Sequence, residues 1–258
     1  MPQPSRSRCR PVLAARVMAI AVLAILLVSP LGVSSALAQE LCVELELVLA
    51  VDASSSIKGD EFALQVQGYA SAFRDPSVIE AVQELGGGGI AVTLVQWSAS
   101  HQMYQSVPWT HVYDRASGEA LARSIEKNFW SFTPFGTALG DAIEYALGLF
   151  EANGYLGRRM AIDISADERA NTGKHPSLAQ PLAARAGVTV NGLVVLDRQR
   201  DLVAYFREHV IVGQGAFVEV VERKEDLARS IRRKLVREIT GEPVASLGNG
   251  PFGPIARY

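Results

Sequence analysis

VELELVLAVDASSS, residues 43–56, sets an apolar run against a sudden group of one acid and three hydroxyls. The run alternates polar and apolar residues at first and then becomes fully apolar, which is typical of a buried central strand of a parallel sheet. Asp52, Ser54, Ser55 and Ser56 follow at once. Two explanations compete for this group: a tight turn that caps the next helix, or a site for a hard cation.

Strands and helices alternate along the rest of the chain. The other predicted strands are residues 90–97, 103–109, 159–165, 188–196 and 216–221, and the predicted helices are 60–74, 114–128, 137–152, 178–187, 201–210 and 224–239. This alternation predicts an α/β fold: a doubly wound, mostly parallel sheet with helices on both faces. Residues 103–109 are predicted to be a short antiparallel edge strand that Pro108 ends. Ligands bind such sheets at the carboxyl ends of strands, which is where Asp52 lies.

The N-terminal segment has the parts of a secretory signal peptide. Four arginines precede an apolar stretch from residue 17 to 36, and Ala36-Leu37-Ala38 supplies the small-x-small pattern of a cleavage site. We predict a signal peptide over residues 1–38, one domain over 39–241, and a disordered tail rich in Gly and Pro over 242–258. The mature protein is then periplasmic or secreted. An uncleaved membrane anchor is the alternative, which the length of the apolar stretch permits.

Removal of the signal segment changes the net charge. The full chain has 25 basic and 27 acidic residues, a net charge of −2, and the loss of four arginines leaves 21 against 27, a net charge of −6. An acidic domain of this kind is a poor partner for nucleic acid or for an anionic membrane surface. The same charge favours the binding of cations.

Three separate loops carry oxygen ligands next to strands or helices. They are Asp52-Ala53-Ser54-Ser55-Ser56, TPFGTALGDA at residues 133–142, and ISADE at residues 164–168. Carboxylates and hydroxyls without histidine or thiolate select Mg²⁺, Mn²⁺ or Ca²⁺ over zinc or copper. We therefore predict a site for Mg²⁺, or for Mn²⁺ or Ca²⁺, whose candidate residues are Asp52, Ser54, Ser56, Thr137 and Asp167.

These residues follow the motif order of the von Willebrand factor A (vWA) domain. Asp52-x-Ser54-x-Ser56 ends an apolar strand, Thr137 precedes a helix, and Asp167 follows a later strand. The chain resembles this family over about residues 44–240. Stretches such as RRMAIDISADERANTG are also similar to a group of exported bacterial A-like domains with no assigned function.

The resemblance implies a metal-ion-dependent adhesion site (MIDAS) and a binding module instead of an enzyme. In such a site Ser54 and Ser56 would bind the cation directly, Thr137 would bind it directly or through water, and Asp52 and Asp167 would hold bound waters. One coordination position would stay open for an acidic side chain of a partner protein.

The chain departs from the family pattern in two places. Glu168 follows Asp167 where the family usually has glycine, so its side chain would either crowd the metal or add a carboxylate beside it. The second loop reads Pro-Phe-Gly-Thr, where Gly-Gly-Thr is commoner. These departures keep open a third function, a metal-free domain that uses the fold as a scaffold.

A metal-dependent phosphoesterase is the rival function from a different class. Its general base would be His175, in the loop after a site strand, although the adjacent Pro176 indicates an ordinary helix start. Asp163, inside an apolar strand, either supports the site or has a structural partner in the next loop. Aromatic residues near the second loop belong either to the core or to a contact surface: Trp109, Trp130, Phe132 and Phe135.

Overall fold

The computed structural model describes residues 40–54, 59–128, 136–196 and 199–241, with the backbone alone for residues 59–62. Several predictions fall outside these residues: the signal peptide, the C-terminal tail, Ser56, Trp130, Phe132 and Phe135. Within the described ranges, no helix has both the length and the apolar character needed to cross a membrane.

In the described part of the chain, six strands form one sheet. They are β1 (Leu41–Asp52), β2 (Ile90–Trp97), β3 (Met103–Val112), β4 (Tyr155–Ala166), β5 (Val188–Val195) and β6 (Val218–Val221). Their order across the sheet is β3-β2-β1-β4-β5-β6, and every pair is parallel except β2 with β3. The predicted fold class is confirmed, including the antiparallel edge strand, which runs three residues further than predicted.

Seven helices cover the described part of the sheet. They are α1 (Gly59–Arg74), α2 (Pro76–Glu84), α3 (Arg115–Asn128), α4 (Leu139–Gly148), α5 (Pro176–Ala186), α6 (Leu202–His209) and α7 (Leu227–Thr240), the last preceded by a 3₁₀ turn at Lys224–Asp226. The sequence did not predict α2. Asp75 begins it by accepting a hydrogen bond from the Ser77 amide at 2.9 Å, and Pro76 occupies its first turn, where the missing amide costs nothing.

Two hydrophobic cores lie on opposite faces of the sheet. One is built around Leu45, Leu47 and Leu49 of β1 together with α1, α2, α3 and α7. The other is built around Val48 and Ala50 together with α4, α5 and α6. Side chains of β1 alternate between the two faces, so both faces of this strand are buried and its second half, Leu47 to Val51, is apolar throughout. The apolar run that opens the domain is therefore the central strand of the sheet.

The chain changes direction between β1 and β4. From β1 it proceeds outward to β2 on one side, and later returns to place β4 on the other side of β1. When the connections that leave two neighbouring parallel strands run to opposite sides of the sheet, a crevice forms at the carboxyl ends of these strands. Ligands of open α/β sheets bind in this crevice. Asp52 ends β1 and Asp167 directly follows β4, so two of the predicted site residues flank this crevice.

Candidate metal-binding site

The ends of β1, β2 and β4 are joined by hydrogen bonds. The Asp52 amide donates to Ser165 Oγ of β4 at 3.2 Å, and the Ala53 amide donates to the Trp97 carbonyl of β2 at 2.8 Å. Asp52 and Asp167 line one pocket together with residues of α1, β5 and α7. The predicted first and third loops therefore meet, as the motif order requires.

Asp52 is buried with one oxygen unsatisfied. It is 1% exposed; its Oδ1 accepts the Ser54 amide at 2.7 Å, and its Oδ2 has no hydrogen-bond partner among the described residues. Burial raises the pKa of the Asp52 carboxyl well above its ordinary value, and the charge of Asp167 raises it further, with hydrogen bonds from Ser54 opposing the rise and Glu168 adding to it. A cation beside Asp52 would relieve both the desolvation and the repulsion.

Ser54 and Thr137 supply buried hydroxyl oxygens. Ser54 is 1% exposed and Thr137 is fully buried. Ser98, just after β2, fixes the Thr137 segment: its carbonyl accepts the Ala138 amide at 2.9 Å and its Oγ donates to the Gly136 carbonyl at 3.1 Å. A loop after a third strand therefore places Thr137 at the same edge of the sheet.

Thr137 does not cap α4. The residue preceding this helix is Ala138, and no side chain caps its first turn. The Thr137 hydroxyl instead donates to Glu168 Oε1 at 2.5 Å, across 31 positions of sequence. Thr137 is therefore joined directly to the third loop and plays no part in capping the helix that follows it.

Asn171 is a site residue that the sequence did not reveal. Its Oδ1 accepts the Thr137 amide at 2.8 Å, its Nδ2 donates to Glu168 Oε1 at 3.2 Å, and its own amide donates to the Thr137 carbonyl at 3.1 Å. The one available signal was a polar side chain four residues after Asp167, which is too common in loops to point to a site.

Asp141 also joins the loops. Its Oδ2 accepts from Ser100 Oγ at 2.6 Å and its Oδ1 accepts the Lys174 amide at 3.0 Å. Asp141 also lies in the first turn of α4, where the helix dipole favours an acid. The loops after β2 and β4 are therefore bound to the start of α4 at two points, Thr137 and Asp141.

The donor set fits a hard divalent cation. Within the described ranges, no three His, Cys, Asp or Glu side chains form a ready metal cluster, so hydroxyls must supply part of the coordination. Ser54 and Thr137 offer neutral oxygens, and the unsatisfied Asp52 Oδ2 and the 8% exposed Asp167 offer charge. Neutral hydroxyls with two carboxylates suit Mg²⁺, which keeps several of its waters.

Asp163 has a structural partner. Its Oδ1 lies 2.7 Å from Lys234 Nζ of α7, and both side chains are buried. Lys234 also lies 2.6 Å from Glu238 Oε1, which accepts from Asn191 Nδ2 at 2.9 Å. Asp163 therefore has a structural partner, but that partner lies in α7 and not in the next loop as predicted, because the acid joins β4 to a helix distant in sequence.

His175 begins a helix. Its Nδ1 accepts the Ser177 amide at 3.4 Å and lies 2.8 Å from Ser177 Oγ, and Pro176 forms the first turn of α5. This is the helix start that the adjacent proline predicted. Trp109 is half-buried against Phe150 and Tyr155 and donates to the Leu149 carbonyl at 3.0 Å. Trp109 therefore packs against the hydrophobic core of its own domain.

Solved structures share this fold. Proximal thread matrix protein 1 from the mussel byssus matches with a TM-score of 0.58 and 14% identity, over 76% of this chain and 47% of that one. Another structure of that protein has a zinc-occupied MIDAS motif. The von Willebrand factor type A structure from Catenulispora acidiphila matches with a TM-score of 0.54 and 14% identity, over 78% of this chain and 44% of that one.

The third match is the vWF domain of the type V pili tip protein Mfa5 from Porphyromonas gingivalis. Its TM-score is 0.55 at 10% identity, over 77% of this chain and 96% of that one. The chain spans about half the length of the mussel protein but nearly all of this pilus domain. At these identities the matches show the fold alone, which is that of a vWA domain.

Sequence comparison gives the family. No curated protein sequence matches the chain. The model of the family described as protein of unknown function (DUF1194) matches residues 42–243, from the start of β1 to just beyond α7. The chain therefore belongs to the DUF1194 family, and its fold is vWA-like.

Proposed function

We propose that this domain binds one divalent cation, Mg²⁺ or else Mn²⁺ or Ca²⁺, at the carboxyl ends of β1 and β4. The proposed ligand set is the one that the sequence predicted: Asp52, Ser54, Ser56, Thr137 and Asp167. The observation that carries the proposal is Asp52 Oδ2, a buried carboxylate oxygen without a hydrogen-bond partner among the described residues, beside the charge of Asp167. Buried charges persist when they are paired or when they bind metal.

The proposed role of the bound cation is recognition of a protein partner with an exposed acidic side chain. Without the cation, the acids at this edge of the sheet would repel such a group; with it, the charges of Asp52 and Asp167 are offset and the ion itself attracts the partner's carboxylate. The named neighbours include a pilus tip protein and a matrix protein, which supports a role in protein contacts. The proposed setting is the periplasm or the exterior, reached through the signal peptide at residues 1–38.

Titration calorimetry tests the cation site. Mg²⁺ and Mn²⁺ are titrated into the wild-type domain, into Asp52→Asn, and into Glu151→Gln, which removes one charge from an exposed turn after α4. We expect binding by the wild type and Glu151→Gln and at least a tenfold loss in Asp52→Asn, the scale of an altered metal ligand. Equal binding by all three proteins would contradict the proposal.

Chelation tests the recognition step. The wild-type domain is immobilised and exposed to extracellular proteins with Mg²⁺ and then with a chelator, beside an Asp52→Asn column as the control. Partners that bind through the cation should be released by the chelator and should be absent from the Asp52→Asn column. Partners retained equally under all conditions would show that any recognition uses another surface.

A further inference from the structure

Glu168 lies at the candidate site although it belongs to no predicted ligand set. It directly follows Asp167, and its half-buried side chain turns towards the second loop. Its Oε1 accepts the Thr137 hydroxyl at 2.5 Å and Asn171 Nδ2 at 3.2 Å. Its Oε2 makes no hydrogen bond within the described ranges. One carboxylate therefore contacts a predicted metal ligand and has a second oxygen that makes no hydrogen bond to the described residues.

The position of Glu168 is fixed by the loops around it. Asn171 donates to Glu168 and accepts from the Thr137 amide, so one side chain holds both residues. The amides of Asn171 and Thr172 also point to the Thr137 carbonyl, at 3.1 and 3.5 Å. The contact between Glu168 and Thr137 is thus built into the backbone of two loops and does not depend on one free rotamer.

The contact is a hydrogen bond between two oxygens that lie close to the spacing of neighbouring ligands. Adjacent oxygens around an octahedral Mg²⁺, each about 2.1 Å from the ion, lie about 3 Å apart. Glu168 Oε1 and Thr137 Oγ1 are 2.5 Å apart, so a small displacement brings both within reach of one ion. A hydroxyl that donates its proton to Glu168 also keeps its lone pairs available for the cation.

We propose that Glu168 is an internal carboxylate ligand of the cation and takes the coordination position that a partner's acid would otherwise occupy. The inference rests on the proposed cation site and refines its recognition step. With Asp52, Asp167 and Glu168 ionised, a bound divalent ion leaves a net charge of −1. An acidic side chain of a partner must therefore displace Glu168 from the ion. Glu168 thus strengthens the binding of the cation and weakens the binding of the partner.

The test counts water molecules on bound Mn²⁺. Water-proton relaxation of the Mn²⁺-loaded wild type is compared with Glu168→Ala, Glu168→Gln and the surface control Glu151→Ala. We expect Glu168→Ala to gain about one exchangeable water on the ion and to bind Mn²⁺ at least about tenfold more weakly. Glu168→Gln retains an oxygen for Thr137 and Asn171, so it should stay folded and lose affinity through its charge alone. Glu151→Ala should match the wild type.

Two results separate this inference from the function on which it rests. If the wild type binds Mn²⁺, Asp52→Asn does not, and both Glu168 variants keep the wild-type affinity and water number, Glu168 is not a ligand and the cation site stands. If the wild type and Asp52→Asn bind Mn²⁺ alike, the cation site and the role of Glu168 both fail. The melting temperature of Glu168→Gln is also measured in chelator. A value far below that of the wild type would show that a loss of Mn²⁺ binding comes from misfolding.

Discussion

At the scale of single residues, Asp52 combines full burial with an unsatisfied charge. Its Oδ2 has no hydrogen-bond partner in the described part of the chain, and the carboxyls of Asp167 and Glu168 act on it. Removing water from an acid next to other acids destabilises the metal-free protein. Such a cost is typical of binding sites, where a group is kept for its ligand and not for stability.

Asp52→Asn should therefore stabilise the metal-free domain while removing its response to metal. The neutral amide removes the repulsion by Asp167 and Glu168 and lowers the cost of burial. We expect a gain of about 1–2 kcal/mol in the free energy of unfolding in chelator, measured by urea denaturation. Mg²⁺ should raise the melting temperature of the wild type and leave the variant unchanged. A destabilised variant that still responds to Mg²⁺ would contradict this reading of Asp52.

Glu168 and Asn171 mark how far single residues could be predicted from sequence. Glu168 was visible as a departure from a family pattern, with two possible effects, crowding or an added carboxylate. The structure shows its hydrogen bond to Thr137, which no spacing rule specifies, because the two residues are 31 positions apart. Asn171 contacts Thr137 across 34 positions and had no signal of its own. Contacts between loops depend on how each loop folds, and sequence periodicity carries no such information.

At the scale of elements, the start of α4 positions Thr137 by close backbone packing. A Cβ placed on Gly140 would lie 2.3 Å from the Lys174 carbonyl oxygen, whereas a Cβ on Gly148, in the last turn of the same helix, would meet nothing within 4 Å. The first glycine therefore lets the helix approach the loop after β4. The second is an ordinary helical glycine, where alanine is the better residue.

Gly140→Ala and Gly148→Ala form a matched pair on one helix. Gly140→Ala should push α4 away from the loop after β4, destabilise the domain by about 1–3 kcal/mol and weaken Mn²⁺ binding. Gly148→Ala should leave Mn²⁺ affinity unchanged and stabilise the domain by about 0.5–1 kcal/mol. Urea denaturation and calorimetry measure both quantities. Equal Mn²⁺ affinity in the two variants would mean that this contact does not position the site.

The helix α7 is joined to the sheet by buried charges. Lys234 lies within 2.7 Å of Asp163 and 2.6 Å of Glu238, and all three side chains are buried. One lysine faces two acids, and burial together with the charge of Asp163 raises the pKa of Glu238 to about 7. The folded protein therefore holds a proton on Glu238 that the unfolded chain releases near its ordinary pKa of 4.5.

Stability should consequently fall as the pH rises from about 4.5 to about 7. In this interval the unfolded chain binds fewer protons than the folded one, so raising the pH favours unfolding. Glu238→Gln keeps an oxygen for Lys234 and Asn191 and has no proton to lose. We expect the variant to be more stable than the wild type by about 1–3 kcal/mol at pH 8 and nearly equal at pH 4.5, by urea denaturation. A pH-independent difference would contradict the account.

The elements themselves were largely predictable. The alternation of strands and helices, the antiparallel edge strand and the amphipathic α7 all follow from hydrophobic periodicity. The helix α2 was missed because Asp75-Pro76-Ser77 suits a turn as well as a helix start. The predicted helix over 137–152 is shorter in the structure, since β4 already begins at Tyr155 to pair with the first residues of β1. In this segment, the pairing of β4 with β1 overrides the local preference of the sequence for a longer helix.

At the scale of the whole molecule, the strand order creates the site. The order β3-β2-β1-β4-β5-β6 brings the ends of β1, β2 and β4 together, although 113 positions separate Asp52 from Ser165. The sequence indicated that the loops at the carboxyl ends carry ligands, but the order of strands came from the structure. Lys234 shows the same limit of prediction from sequence. A lysine of an amphipathic helix is expected at the surface, and this one is buried because it pairs with Asp163, which is distant in sequence.

Cation binding should stabilise the whole domain by mass action, because the unfolded chain has no assembled site. At a Mg²⁺ concentration one hundred times the Kd, the free energy of unfolding should rise by about 2.7 kcal/mol. Differential scanning calorimetry in Mg²⁺ and in chelator measures this shift. NaCl at matched ionic strength is the control, since a general salt effect would raise the melting temperature in both solutions.

The most direct measurement is a crystal structure of the domain with Mn²⁺, using the anomalous signal of the ion. The account predicts a single anomalous peak at the carboxyl ends of β1 and β4, within about 2.6 Å of the Ser54 hydroxyl and beside Thr137, in contact with it directly or through one water. A peak elsewhere, or none at that edge of the sheet at saturating Mn²⁺, would contradict it.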